Sequence, residues 1–380
     1  MGIAPDAHPA IARLASADMT TNIDTVVIGG GQAGLTMGYH LQRTGREFVI
    51  LDADVRSGDS WRQRYDSLRL FSLPQYASLP GCRIAVSDYP TRDEMADYLE
   101  AYAARFALPV QTGTRVSSVI SEDGALRVST ADGDYLACNV IVATGAHRHP
   151  SVPAFADDLD PRIRQLTSLG YRNPEQFAPG PVLVIGAGNS GTDIALDAAA
   201  AGHVTYLAGR HPGQVPIDID SPHGRRATPV VMFAFRHVLT LRTPMGRKAH
   251  TKHLEHGVNL VRNKLADLEA AGITRIGRIE QIRDGHPVPS DGELPLVNTV
   301  VWCTGSLPDH RFLELPVFGE DGRPIHRRGV SDVPGLYFLG LEFQFALASG
   351  QIQGLDRDAR YLLKQLPRPS GVPAAERAIA

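Results

Sequence analysis

Cysteine is scarce in this 380-residue chain: three occur, Cys82, Cys138 and Cys303, and no two form a Cys-x-x-Cys pair. That spacing speaks against a disulfide framework, a zinc knuckle and a paired-dithiol redox centre. Charge of one sign is scarce as well. A formal net charge of −3 gives no overall attraction to nucleic acid or to an anionic membrane, so neither is expected as a partner. Long hydrophobic runs are lacking. The apolar stretch from Pro229 to Leu241 is interrupted by Arg236 and falls short of the ~20 residues of a membrane span. It reads as a core or interface helix. The unpaired cysteines fit a reducing cytoplasm. Residues 1–22 are rich in Ala, Asp and Pro and lack the basic start and apolar run of a secretion signal. They and the Pro-rich residues 367–380 read as loose tails. Hydrolytic signatures are missing too: there is no Gly-x-Ser-x-Gly elbow and no Cys–His pair. His250, His253 and His256 fall at helical spacing, but without a carboxylate partner they read as surface residues, and no metal is expected.

What the chain does have is one design used twice. Thr25-Val26-Val27-Ile28 leads into Gly29-Gly30-Gly31-Gln32-Ala33-Gly34 and a helical stretch to Thr44. Val182-Leu183-Val184-Ile185 leads into Gly186-Ala187-Gly188-Asn189-Ser190-Gly191 and a helical stretch to Ala201. A further strand follows each, at Glu47–Leu51 and His203–Leu207. Strand–turn–helix–strand, twice over, is the signature of an α/β fold with parallel sheets. Other strands are predicted at Arg115–Ile120, Leu126–Thr130, Val140–Ala143, Thr299–Cys303 and Gly335–Leu341, and a helix capped by Thr91 within Tyr89–Leu108. Two apolar runs end in Thr-Gly, at Thr144-Gly145 and Thr304-Gly305. They suggest that the chain leaves a first domain near Ala146 and returns to it near Gly305.

In a Gly-x-Gly-x-x-Gly turn the first glycine allows the bend, the second lets backbone approach a pyrophosphate, and the third lets helix pack on strand. Gly29, Gly31 and Gly34 fill these roles in the first turn, and Gly186, Gly188 and Gly191 in the second. The residue ending the next strand selects the nucleotide. Asp52 can accept hydrogen bonds from ribose hydroxyls, as FAD or NAD requires. At the equivalent place in the second unit stands Gly209, followed by Arg210, whose guanidinium suits the 2′-phosphate of NADPH. His147 and His149 follow Thr144-Gly145 and read as loop residues near a cofactor.

These residues resemble the class B flavin-dependent monooxygenases, in particular a short bacterial branch and the YUCCA-like enzymes. The likeness runs from about Ile23 to Leu366. It rests on both glycine turns, Ser60-Trp61-Arg62, Tyr65 to Leu70, Ser78-Leu79-Pro80-Gly81, Tyr89-Pro90-Thr91-Arg92, Ala143-Thr144-Gly145, Trp302-Cys303-Thr304-Gly305 with Pro308-Asp309, and Pro334 to Gly340. The resemblance implies two Rossmann-like dinucleotide-binding domains. The FAD domain would comprise residues 23–150 and 291–366, and the NADPH domain 151–290 would be inserted into it. The implied cofactor-binding residues are Gly29, Gly31, Gln32, Ala33, Gly34, Asp52, Ala53, Trp61, Arg62, Val116, Thr144, Gly145, Gly186, Gly188, Asn189, Ser190, Gly191, Arg210, Thr304, Gly305 and Gly340; no catalytic side chain is assigned. The implied reaction inserts one oxygen atom from O2 into a small nucleophilic (N or S) or carbonyl substrate through a C4a-(hydro)peroxyflavin. A homodimer is compatible with this reading.

Two departures stand out. The fingerprint Phe-x-Gly-x-x-x-His-x-x-x-Tyr/Phe survives only at Tyr171, with Pro161, Ile163 and Thr167 at its other positions. The asparagine that many members hold beside the flavin is not evident in Leu70 to Pro74. The alternative is therefore an NADPH oxidase or flavoprotein reductase that inserts no oxygen, and a third reading is a flavin-binding sensor without turnover.

Overall fold

The computed structural model describes residues 20–215, 219, 221–256, 259–292 and 294–368, with backbone alone for 254–256. Most of the two predicted tails lies outside these residues, as does the side chain of His256. Two sheets dominate. The first has seven strands. At its centre Thr20–Ile28 runs parallel to Phe48–Leu51 on one side and to Gly133–Val142 on the other. Val26 and Val27 are both fully buried, because a parallel sheet is covered on both faces. This strand begins at Thr20, earlier than its apolar core suggests, since the polar lead Thr20–Asn22 still pairs with Asp134–Leu136.

The ten-residue strand Gly133–Val142 serves two neighbours on its other edge. Its first half pairs antiparallel with Ala125–Thr130 and its last three residues pair parallel with Leu336–Phe338. Only that last part, from Val140, reads as a strand in the sequence, because Asp134 and Asn139 interrupt the apolar pattern. The helix Arg92–Arg105 starts at Thr91, which forms a reciprocal capping box with Glu94.

The second sheet has five strands, all parallel, in the order Thr274–Ile276, Thr205–Ala208, Val182–Ile185, Thr299–Trp302, Arg164–Thr167. This corrects one boundary. The resemblance places residues 291 onward, and with them Thr299–Trp302, in the first unit, whereas the Thr304-Gly305 end suggests a return only near Gly305. Thr299–Trp302 sits inside the second sheet, hydrogen-bonded on both edges, so the chain crosses back only after Trp302. Its four residues are apolar except for Thr299 and all are buried, and a fully buried strand carries no mark in its sequence of which sheet it joins.

Side chains tie the two units together. Tyr65 donates to Asp193 at 2.8 Å and Ser67 to Asp197 at 2.6 Å, both acceptors lying on the helix Asn189–Ala200. Tyr171, the surviving fingerprint residue, is fully buried, stacks on Phe177 and donates to Asp197 at 3.1 Å.

Candidate functional site

The glycine turns have the same construction. Gly29 and Gly186 have φ of +109° and +110°, and a Cβ on either would lie 2.5 Å from the Ala143 carbonyl oxygen or 2.2 Å from that of Cys303. Only glycine fits such a conformation and such a close approach. Gly34 and Gly191 let the helix sit on the turn: a Cβ on each would fall 1.8 Å from the carbonyl oxygen of Gly29 and Gly186 respectively. Gly31 and Gly188 differ, because a Cβ there would meet nothing within 4 Å. Each is the N-cap of a twelve-residue helix with no side-chain cap and no acidic residue in its first turn. Uncapped N–H groups at a helix start, with the positive end of its dipole, form a cradle for phosphate.

Both cradles open into one cavity of about 1440 Å³, larger than the ~300–1,000 Å³ of ordinary small-molecule pockets and roomy enough for two dinucleotides. Its wall includes Gly29, Gly31, Gln32, Ala33, Asp52, Ala53, Trp61, Val116, Thr144 and Gly145 from the first unit. From the second it includes Gly186, Gly188, Asn189, Ser190, Gly191 and Arg210, joined by Thr304, Gly305 and Gly340. Burial pushes the Asp52 carboxyl up to about 6. Its Oδ1 accepts the Asp54 N–H at 3.2 Å. Trp61 donates to the Gln32 side-chain oxygen at 3.2 Å. The Thr144 hydroxyl is buried without a hydrogen-bond partner, a situation that costs about 1–3 kcal/mol and that a polar ligand in the cavity would relieve. These features fit a flavin dinucleotide beside the first turn.

Two of the expected residues stand outside the cavity wall. Gly34 acts through packing, as above. Arg62 is a correction: its guanidinium binds Asp59 at 3.1 Å, Asp97 at 2.6 Å, Glu100 at 2.7 Å and the Ser57 carbonyl at 3.0 Å. Trp61 and Arg62 lie on one short helix, Asp59–Arg62, where neighbouring residues point about 100° apart. Trp61 faces the cavity and Arg62 turns to the helix Arg92–Arg105.

Other residues were missed. Gly30 leaves room for the Asp52 side chain, since a Cβ there would sit 2.5 Å from its Oδ2. The run of three glycines held that hint. Arg64 and Glu342 also line the cavity, together with His147, which the sequence places near a cofactor. His253 is a correction: it lines the cavity too, and its side chain is only 10% exposed because folding brings Glu342 to it as a carboxylate partner. His147 shares a 2.5 Å hydrogen bond between Nδ1 and the Ser306 hydroxyl. Desolvation, aided by the Arg64 charge, pulls its pKa below the usual value, so its ring is neutral near pH 7. Glu342 faces His253 at 3.4 Å, and that partner keeps it ionised. No local pattern joins residues 64, 147, 253 and 342, so they could not be grouped from sequence. Arg278, which lines the cavity with Arg210, was missed for the same reason. Cys303 is held in its thiol form by burial. Among the described residues no group of three or more His, Cys, Asp or Glu could hold a metal ion, and no helix is long and apolar enough to cross a membrane.

Residues 26–226 match the family described as pyridine nucleotide-disulphide oxidoreductase. The chain is 36% identical over 348 residues to an uncharacterized CzcO-like oxidoreductase of Geobacillus kaustophilus, covering 90% of this chain and 98% of that protein. It superposes on a solved flavin-containing monooxygenase from Stenotrophomonas maltophilia with a TM-score of 0.75 at 30% identity, covering 91% of this chain and 98% of that one. A shorter match, 30% identical over 49% of this chain and 46% of the relative, is to a probable indole-3-pyruvate monooxygenase, YUCCA9, of Arabidopsis thaliana. The chain belongs to the pyridine nucleotide-disulphide oxidoreductase family and, within it, to the flavin-dependent monooxygenases of class B.

Proposed function

We propose that this enzyme binds FAD at the Gly29–Gly34 turn and NADPH at the Gly186–Gly191 turn, and that it transfers one oxygen atom of O2 to a small substrate with a nucleophilic nitrogen or sulfur, or a carbonyl. The observation that carries the reading is the pair of uncapped helix starts, one per sheet, opening into a single cavity. When bound, the flavin would accept hydride from the nicotinamide and supply the oxygen-activating chemistry.

The chain's own residues bind and orient. Amides around Gly31 and Gly188 hold the two pyrophosphates. Asp52 accepts from the adenosine ribose of FAD, and Arg210 pairs with the 2′-phosphate. Trp61, fixed by Gln32, and the Thr144 hydroxyl border the flavin side. His147, neutral and anchored by Ser306, can hold or release a proton at Nε2 inside the cleft, with ionised Glu342 to balance the charge it would gain. The inter-unit bonds through Asp193 and Asp197 keep the two cradles at fixed distance and limit water entry.

The rival is an oxidase or reductase that passes electrons onward without oxygen insertion. It is favoured by Thr167, whose hydroxyl accepts the Gly170 N–H at 3.1 Å where relatives with the full fingerprint carry a histidine ring. Anaerobic reduction by NADPH, then mixing with oxygen in the presence of candidate amines, sulfides and ketones, tests the proposal. Oxygenated product supports it. Peroxide alone with every substrate class favours the rival.

A further inference from the structure

The chain's net charge of −3 conceals a reversal. Residues 222–256 contain seven arginines and lysines against a single acid, Glu255. They fold as the helix Pro222–Phe233, a π-helical turn Ala234–Val238, and the helix Pro244–His256. The first helix is seated on the body through one face, where Gly224 and Thr228 are buried. The turn after it is fixed by Arg236, which donates to the Gln353 carbonyl at 2.8 Å.

The opposite face carries Arg226, Val230, Phe233 and His237, spaced by three or four and therefore on one side; the rings of Phe233 and His237 touch at 4.7 Å. Val230 is 71% exposed, Phe233 60% and, on the next helix, Met245 62%. On the same lobe Arg225, Arg226, Arg242, Arg247, Lys248 and Lys252 are exposed too. Apolar side chains held in water on a helical lobe that is also rich in exposed cations suit an anionic bilayer surface, where the apolar groups enter the headgroup boundary and the cations meet lipid phosphates.

We propose that this helical lobe docks the enzyme on anionic lipid membranes, peripherally and without spanning them. The occupant follows from charge. A second copy placed on this face about a twofold axis would set one basic rim against another, and nucleic acid offers no layer for Val230, Phe233 and Met245 to enter. The proposal does not depend on the redox function.

Co-sedimentation of the full-length, flavin-loaded protein with phosphatidylcholine vesicles, and with vesicles also containing phosphatidylglycerol, tests it. Sedimentation with the second kind alone, weakened by salt, is expected. Each neutralised charge should lower partitioning about fivefold, so the double variant Arg225→Gln/Arg226→Gln should lose about 30-fold. Val230→Ser/Phe233→Ser should also release the protein, and both variants should keep flavin absorbance and melting temperature, since the residues are exposed. Equal recovery with both vesicle types, none with either, or insensitivity to both double variants would overturn the proposal. So would a concentration-dependent dimer that Val230→Ser/Phe233→Ser dissociates, or duplex DNA bound more tightly than the anionic vesicles.

Discussion

Alanine at Gly188 and alanine at Gly191 should fail in opposite ways, although the two glycines belong to one turn. At Gly188 φ is −78° and ψ −172°, which alanine adopts freely, and its Cβ would meet nothing within 4 Å. Replacing glycine by alanine at an N-cap costs under about 1 kcal/mol. The fold and the flavin content should therefore survive. The methyl would instead occupy the space through which a pyrophosphate reaches the helix start. Losing one charge-assisted hydrogen bond, about 1.5–3 kcal/mol, corresponds to about 10- to 100-fold weaker NADPH binding. At Gly191 a Cβ would fall 1.8 Å from the Gly186 carbonyl oxygen and 3.3 Å from the Cys303 Cβ, so the helix must move. Such overpacking costs about 1–3 kcal/mol and should lower the melting temperature by several degrees. Circular dichroism melting and titration of flavin reduction by NADPH separate the two effects. Parental NADPH affinity in Gly188→Ala would refute the phosphate-cradle argument. A parental melting temperature in Gly191→Ala would refute the packing argument.

Replacing Arg210 by Ala should raise the Michaelis constant for NADPH about 10- to 100-fold and barely change that for NADH; equal losses would make Arg210 structural. Asp52 offers a pH test. Its pKa is raised from 3.8 to about 6 in the folded protein, so its favourable contribution to stability is fully present below about pH 4 and is lost as pH rises through about 6. In flavin-free protein Asp52→Asn should raise stability at pH 7.5, by at most about 3 kcal/mol, and leave it unchanged at pH 4, while FAD retention falls; melting curves at the two pH values and cofactor release check both parts. Arg62→Ala should lower the melting temperature, because it removes the guanidinium that joins Asp59, Asp97 and Glu100 and leaves buried Asp59 with Arg56 alone, with FAD still bound after gel filtration. Peroxide assays should also find NADPH consumed without substrate. A less closely covered flavin admits water, and Thr167→His should reduce that leak if the missing ring is its cause.

The glycine turns were readable because their spacing is fixed within six residues: a positive φ at Gly29 and Gly186, an open helix start at Gly31 and Gly188, and a close approach to the turn's own backbone at Gly34 and Gly191. Asp52 and Arg210 followed by counting from them. The helix Arg92–Arg105 was marked by its capping box. Sheet membership was less accessible: Thr299–Trp302 and Leu336–Phe338 are similar apolar runs, yet one enters the second sheet and the other the first. Arg62 was misread because adjacency to Trp61 in sequence is divergence on a helix. His147, His253 and Glu342 meet only through tertiary folding, and so do the Tyr65–Asp193 and Ser67–Asp197 bonds. The Pro229–Leu241 stretch reads as a core or interface helix, and its helix departs from the core half of that reading by laying Val230 and Phe233 on the outside.

The central claim, oxygen transfer and not mere electron transfer, is tested most directly by isotope. The flavin-loaded enzyme, given NADPH and ¹⁸O₂ with a panel of amines, sulfides and ketones, should yield at least one product carrying a single ¹⁸O atom, with NADPH consumed in excess of peroxide released. Peroxide equal to the NADPH consumed, with no labelled product from any class, would contradict the account and leave the enzyme an oxidase.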